Sequence, residues 1–258
     1  MAKYGMVIDL ARCMGCNSCV EACKVENNTG RGMFYMYLFR WEEGAYPNTT
    51  TQFLPRPCMH CRNAPCVKVC PTGARHRQED GLVLTDYNVC IGCRYCEVAC
   101  PYGVNYFNWK KPADNQYFDW NGGEGTNVYG KGSVSDYVGD AVPPYENPDH
   151  DRRYGDDDRL VAGSGHFLGV VEKCTFCVHR LAKGLLPACV ANCPVGTLHF
   201  GDLDDPESNV SEMLGQRRSF QLLAELGTDP RVYFVGGMPP GEGAKSLNPT
   251  AYKVKLGR

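Results

Sequence analysis

The segment Cys13-Met14-Gly15-Cys16-Asn17-Ser18-Cys19-Val20-Glu21-Ala22-Cys23 places four thiols at steps of three, three and four residues. The chain of 258 residues repeats this device until its 16 cysteines are used up. Cys90, Cys93, Cys96 and Cys100 keep the same spacing. Cys58, Cys61, Cys66 and Cys70 widen the middle gap, and Cys174, Cys177, Cys189 and Cys193 widen it further. Four groups of four, with none left over, are too regular for structural thiols that merely pack.

Working outward, the flanks repeat as well. Asp9-Leu10-Ala11-Arg12-Cys13-Met14-Gly15-Cys16 matches Asp86-Tyr87-Asn88-Val89-Cys90-Ile91-Gly92-Cys93 in the positions of Asp, Cys, Gly and Cys. A short β-like run precedes each, Met6-Val7-Ile8 or Leu82-Val83-Leu84. Cys66-Val67-Lys68-Val69-Cys70-Pro71-Thr72-Gly73 likewise matches Cys189-Val190-Ala191-Asn192-Cys193-Pro194-Val195-Gly196. The order is a, b, a′, b′, which reads as an α+β fold of duplicated bacterial two-cluster ferredoxin-like units with long loop insertions.

The compact spacing is that of bacterial [4Fe–4S] runs, in which the fourth cysteine, followed by proline, serves the neighbouring cluster. Pro71, Pro101 and Pro194 stand there in three groups, and Lys24 replaces proline in the first. Glycines Gly15 and Gly92 supply the tight turns that wrap a chain around a cube. Structural zinc favours two separated Cys-x-x-Cys pairs, which the three-step runs do not resemble. Cysteines three apart on tight turns are poor disulfide partners. The all-cysteine set leaves no place for a Rieske-type centre, so His60 reads as a local packing or hydrogen-bonding residue. The expected cofactors are therefore four [4Fe–4S] clusters. Spacing alone does not decide which groups pair.

Composition narrows the partners. The formal charge of −2 counts every thiol as neutral. Four oxidised cubanes, each with four thiolates, would take the holoprotein to roughly −10. Arg12, Lys24, Arg56, Arg62, Lys68, Arg75, Arg94, Lys173, Arg180 and Lys183 track the cysteines and are placed to compensate. They form no separate basic stripe, so no nucleic-acid partner is expected. No run approaches the roughly 18 apolar residues of a membrane span, and Met1 to Met6 show no signal core. If the protein is exported, a partner is expected to carry it.

Residues 112–165 form an acidic insertion rich in Gly, Asn and Tyr, read as a partner-contacting loop. Its Asp156-Asp157-Asp158 lacks an oxygen-ligand loop pattern and reads as a solvated turn. Asp205-Pro206 is expected to open a helix running toward Gly227, with Val210, Leu214, Leu222, Leu223 and Leu226 on its apolar face. The segment from Gly236 reads as an extended tail. Tyr102, Tyr106, Phe107 and Trp109 are expected to shield clusters and pack core. No nucleophile with a base, no paired carboxylates and no open metal position can be assembled, so no catalytic residue is expected.

At this point the sequence resembles the four-cluster ferredoxin-like subunits of dimethyl-sulfoxide-reductase-type molybdopterin oxidoreductases. The resemblance covers residues 4 to 110 and 166 to 235. It rests on Val7-Ile8-Asp9, on Glu21-Ala22-Cys23-Lys24 with Glu26-Asn27-Asn28, and on Cys66 through Ala74. Cys100-Pro101-Tyr102-Gly103 and Gly201-Asp202-Leu203-Asp204-Asp205-Pro206 complete it. It is closest to the subunits that serve polysulfide, thiosulfate, tetrathionate or arsenate enzymes of anaerobic respiration.

The resemblance implies a nested pairing. One cluster would take Cys13, Cys16, Cys19 and Cys193, and the next Cys174, Cys177, Cys189 and Cys23. A third would take Cys58, Cys61, Cys66 and Cys100, and the last Cys90, Cys93, Cys96 and Cys70. The implied units are residues 1–57 with 166–202, residues 58–111, the insertion 112–165, and a C-terminal helix and extended tail over 203–258. The resemblance also implies an electron-transfer role, linking a molybdenum or tungsten bis-pterin catalytic subunit to an integral-membrane quinone-binding anchor. Such a protein is membrane-associated through its partners, at the periplasmic face by co-export or otherwise at the cytoplasmic face. A ferredoxin-like subunit of a hydrogenase or quinol-oxidising complex is the alternative.

Overall fold

The structure is a computed structural model that describes residues 2–27, 29–110, 166–239, 241 and 244–248. The insertion expected over 112–165 lies outside the described residues.

The run Met6-Val7-Ile8 becomes the middle of a strand, Tyr4–Asp9, whose inner residues are fully buried. It pairs antiparallel with Leu198–Asp202 on one side and parallel with Val232–Val235 on the other. The short strand Ser219–Phe220 completes a four-stranded sheet. Alternation along the central strand serves two interiors. Met6 and Ile8 enter the main core with the cysteines, whereas Val7 meets Val210 and Val235 beneath the helix Asn209–Gln216. Both faces of the strand are therefore apolar, which explains a continuous hydrophobic run in place of alternation.

That helix differs from expectation. It begins at Asn209, capped by the Ser208 hydroxyl accepting from the Ser211 amide at 3.3 Å, and ends at Gln216. Asp205-Pro206 instead forms a turn in which Asp205 accepts from the amides of Glu207 and Ser208. Ser/Asp competition for the local amides moves the cap three residues along. Val210 and Leu214 pack as anticipated, but Leu223 and Leu226 lie beyond the helix and are exposed. Within the described part of the tail, Lys245–Ser246 pairs antiparallel with Trp41–Glu42.

Five helices each carry or follow cysteines, Val178–Leu181 among them just after Cys177. Ser18–Asn27 packs on Ala188–Ala191, and Pro65–Lys68 packs on Tyr95–Ala99. A hairpin of Tyr37–Ala45 and Asn48–Arg56, not anticipated from the sequence, lies over the first cysteine loop. Gly15 has φ +71°, and a Cβ there would overlap the Phe53 ring of this hairpin. Gly92 has φ +69°, and its Cβ would overlap the Gly169 carbonyl. The two glycines thus permit close approach as well as left-handed turns.

Ion pairs on the outside add little. Arg217 reaches the buried Asp9 carboxylate, yet its side chain is 47% exposed. Arg217→Ala is expected to cost no more than ~1 kcal/mol, read as a small shift in denaturant midpoint. A drop several times larger would show that Asp9 depends on this partner.

Candidate metal centre

Each cysteine loop is built so that backbone amides face sulfur. The His60 amide donates to Cys58 Sγ at 3.5 Å, and the Phe176 amide donates to Cys174 Sγ at 3.4 Å. His60 and Phe176 both adopt positive φ, +42° and +55°, and their rings stack at 4.0 Å. Farther along, the Arg75 amide donates to Cys70 Sγ at 3.3 Å and the Thr197 amide to Cys193 Sγ at 3.2 Å. Asn17 and Arg94, the residues after Cys16 and Cys93, share φ of +66° and +64°. Matched sequence positions therefore carry matched backbone conformations.

The structure brings the sixteen thiols together in fours. Cys13, Cys16, Cys19 and Cys193 line one cavity, with Leu38, Pro55 and Leu198. Cys58, Cys61, Cys66 and Cys100 line a second, with His60 and Lys173. Cys70, Cys90, Cys93 and Cys96 line a third, with Arg75. Cys23, Cys174, Cys177 and Cys189 are all buried and act electrostatically on one another. The Asn27 amide joins this set at 3.5 Å from Cys23 Sγ and 3.8 Å from Cys177 Sγ.

Neighbouring sets also act on one another electrostatically, in series. Cys189 is affected by Cys19, Cys174 by Cys58, and the Arg75 guanidinium by Cys96, Cys66 and Cys58. The two inner sets are almost entirely buried, whereas Cys16 and Cys93 are exposed at opposite ends of the series. Met14 is 58% and Ile91 66% exposed beside them.

The donor set fits a cubane better than a single ion. Among the described residues no three His, Cys, Asp or Glu side chains stand close enough to share one metal ion. Burial pushes the Cys19, Cys61 and Cys174 thiols up to about 12, with neighbouring thiolates adding to the rise. Cys177 and Cys66 rise to about 11, again chiefly through burial. Such thiols give up their protons when metal charge enters the cavity. For Cys70 and Cys193 burial also pushes upward, but amide donors outweigh it and hold both thiols below their ordinary value.

Of the ten flanking cations, Lys24, Arg56, Arg75 and Lys173 go inside. Lys24 donates to the Met33 carbonyl at 2.6 Å, and burial lowers its pKa to about 8. Lys173 donates to the carbonyls of Val83 and Cys174. Others meet carboxylates nearer the surface, Arg62 with Asp229, Arg94 with Glu97 and Arg180 with Glu26. His60 Nδ1 accepts from the Val83 amide at 3.0 Å, the packing role expected of it. Tyr102 is buried and its hydroxyl donates to the Leu222 carbonyl at 3.1 Å. Trp109 departs from expectation: it is 59% exposed and stacks with the Arg94 guanidinium.

Sequence comparison points to iron–sulfur chemistry. Two family profiles described as 4Fe-4S dicluster domain match the chain, one over residues 49–115 and 164–203, the other over residues 12–74. The arsenate respiratory reductase iron-sulfur subunit of Shewanella sp. (strain ANA-3) is 42% identical over 238 residues, 90% of this chain and 96% of that protein. The chain belongs to the iron–sulfur subunits of dimethyl-sulfoxide-reductase-type complexes. A tetrathionate reductase subunit of Salmonella typhimurium (strain LT2) is 35% identical, covering 91% of this chain and 72% of its own length. The menaquinone reductase iron-sulfur cluster-binding subunit of Nitratidesulfovibrio vulgaris is 34% identical, over 90% and 88%. As a member of this family the chain is an electron-transfer subunit of a multi-subunit oxidoreductase and not itself the catalyst. No helix among the described residues is long and apolar enough to cross a membrane.

Proposed function

We propose that this chain binds four [4Fe–4S] clusters and conducts electrons between a molybdenum or tungsten bis-pterin catalytic subunit and a quinone-reactive membrane subunit. The observation that carries this reading is the series of four thiol sets with buried middles and exposed ends. The proposed ligands are, in order along the series, Cys13, Cys16, Cys19 and Cys193; then Cys23, Cys174, Cys177 and Cys189; then Cys58, Cys61, Cys66 and Cys100; then Cys70, Cys90, Cys93 and Cys96. Each cluster, when bound, takes up and releases one electron. The chain's own residues hold the thiolates, exclude water from the inner sets and offset their charge with Lys24, Arg75 and Lys173.

Duplication is supported by the matched φ angles at Gly15 and Gly92, at Asn17 and Arg94, and at His60 and Phe176. The proposed units are residues 1–57 with 166–202 for the first and fourth cysteine groups, 58–111 for the second and third, 112–165 as insertion and 203–258 as C-terminal helix and extended tail. The exposed surfaces at Met14 and Ile91 are where the two redox partners would dock. Membrane association would come through those partners, at the extracytoplasmic face. The name of the menaquinone reductase relative supports a quinone-linked partner.

Iron and sulfide analysis of the purified chain, with reductive EPR, is expected to return four cubanes. A stoichiometry near two, or a three-iron signal in the untreated protein, would overturn this. Co-purification of the catalytic subunit tests the assignment of partners.

A further inference from the structure

Arg75 is the largest of the fully buried side chains and belongs to no ion pair with a carboxylate among the described residues. Its Nη2 donates to Cys96 Sγ at 3.5 Å. Its Nε and Nη1 are buried with no hydrogen-bond partner among the described residues. Two orphaned donors on a buried cation are costly unless something supplies acceptors. The guanidinium lines the cavity of Cys70, Cys90, Cys93 and Cys96, and its charge also acts on Cys66 and Cys58 of the neighbouring set.

The other half of the molecule provides an internal comparison. Arg75 stands five residues after Cys70 in Cys-Pro-Thr-Gly-Ala-Arg and opens the strand Arg75–Arg77. Five residues after Cys193, in Cys-Pro-Val-Gly-Thr-Leu, stands Leu198, which opens the strand Leu198–Asp202 and lines the first cavity. The position accepts an apolar residue in one half and carries a cation in the other, so backbone geometry does not require arginine there.

We infer that Arg75 is a shared potential-setting residue, its fixed positive charge and free donors favouring the reduced state of the two clusters it separates. This rests on the four-cluster reading. Reduction adds negative charge to a cluster, and a buried cation stabilises that charge with little screening by water or salt. The clusters held by Cys58, Cys61, Cys66 and Cys100 and by Cys70, Cys90, Cys93 and Cys96 are thereby raised together in potential. The other two lack this contribution.

EPR-monitored redox titration of the full chain tests it, using Arg75→Leu, Arg75→Gln and Arg75→Lys with iron content measured on each. Leu and Gln are expected to lower two of the four midpoints. At the wild-type midpoint the reduced-to-oxidised ratio of those clusters should fall at least tenfold, about 59 mV for a one-electron couple. Lys should move them less than half as far, and the displacement should persist at high salt. Loss of iron in Leu and Gln but not Lys would equally show that the charge is required. Unmoved midpoints at full iron content, equal movement of all four, or a Lys variant displaced as far as Leu would overturn the inference. So would iron loss in all three variants, which would make Arg75 a folding residue. A wild-type chain holding fewer than four clusters would instead refute the cluster reading.

Discussion

Cys23→Ala is expected to remove about a quarter of the iron and to leave the clusters served by Cys58 through Cys100 spectroscopically intact. Cys23 lies in the first cysteine group, two residues before Val25 on the helix Ser18–Asn27, and a local reading would tie it to Cys13, Cys16 and Cys19. The structure puts it elsewhere. The residue is 5% exposed, and its thiol is raised well above its ordinary value by burial first and then by Cys177 and Cys174. Asn27 donates to both Cys23 and Cys177 from the same helix. Alanine there withdraws one thiolate from the buried set containing Cys174, Cys177 and Cys189. Iron analysis with EPR of the variant distinguishes the pairings. Selective loss of the signals belonging to Cys58, Cys61 and Cys66 would contradict the nested arrangement, as would equal loss of all four.

The contrast between Cys13 and Cys23 marks where sequence stops being sufficient. Three thiols on a tight loop are a local property, and Gly15, Asn17 and the three-residue steps announce it within a dozen positions. The destination of the fourth thiol is not local. It depends on the helix Ser18–Asn27 packing against Ala188–Ala191, more than 150 residues away, and on the strand Tyr4–Asp9 pairing with Leu198–Asp202. No periodicity in either segment encodes that partner, so spacing leaves the pairing open and only the family resemblance supplies it.

The hairpin is a different kind of omission. Thr49, Thr50 and Thr51 followed by Phe53 and Leu54 are strand formers, and Tyr46-Pro47-Asn48 marks a turn between two such runs. The signal is present but faint beside the cysteines. The hairpin matters to the site, because Leu38 and Pro55 close the first cavity and Phe53 covers Gly15. Burial of cations is half legible: proximity to cysteine marks ten candidates, but Lys24 goes inside whereas Arg180 meets Glu26 nearer the surface. What separates them is the carbonyl cage around Lys24, formed by Gly30 and Met33 on the loop after its helix.

One polar cluster lies apart from the thiols yet braces them. Glu172 is 1% exposed, on the strand Val171–Glu172 that pairs with Tyr106–Phe107. The Tyr35 hydroxyl donates to its Oε2 at 2.7 Å, and His166 Nδ1 meets the same oxygen at 2.6 Å. His166 Nε2 donates in turn to the Asn27 carbonyl at 2.7 Å, next to the amide that faces Cys23 and Cys177. Burial pushes the Glu172 carboxyl upward, but His166 and the Tyr35 hydroxyl outweigh it and hold the pKa below its ordinary value. The group therefore stays ionised in the interior. Glu172→Ala would strand a buried phenol and a buried imidazole at once, and the expected cost is about 3–5 kcal/mol. Because bound metal couples unfolding to cluster loss, the measurement is the denaturant concentration at which the visible absorbance of the clusters bleaches. Glu172→Gln keeps an acceptor for one partner and should fall between Ala and wild type. Bleaching of the Ala variant at the wild-type concentration would show that Tyr35 and His166 find other acceptors, and that the brace between Asn27 and the strand Val171–Glu172 does not depend on this carboxylate.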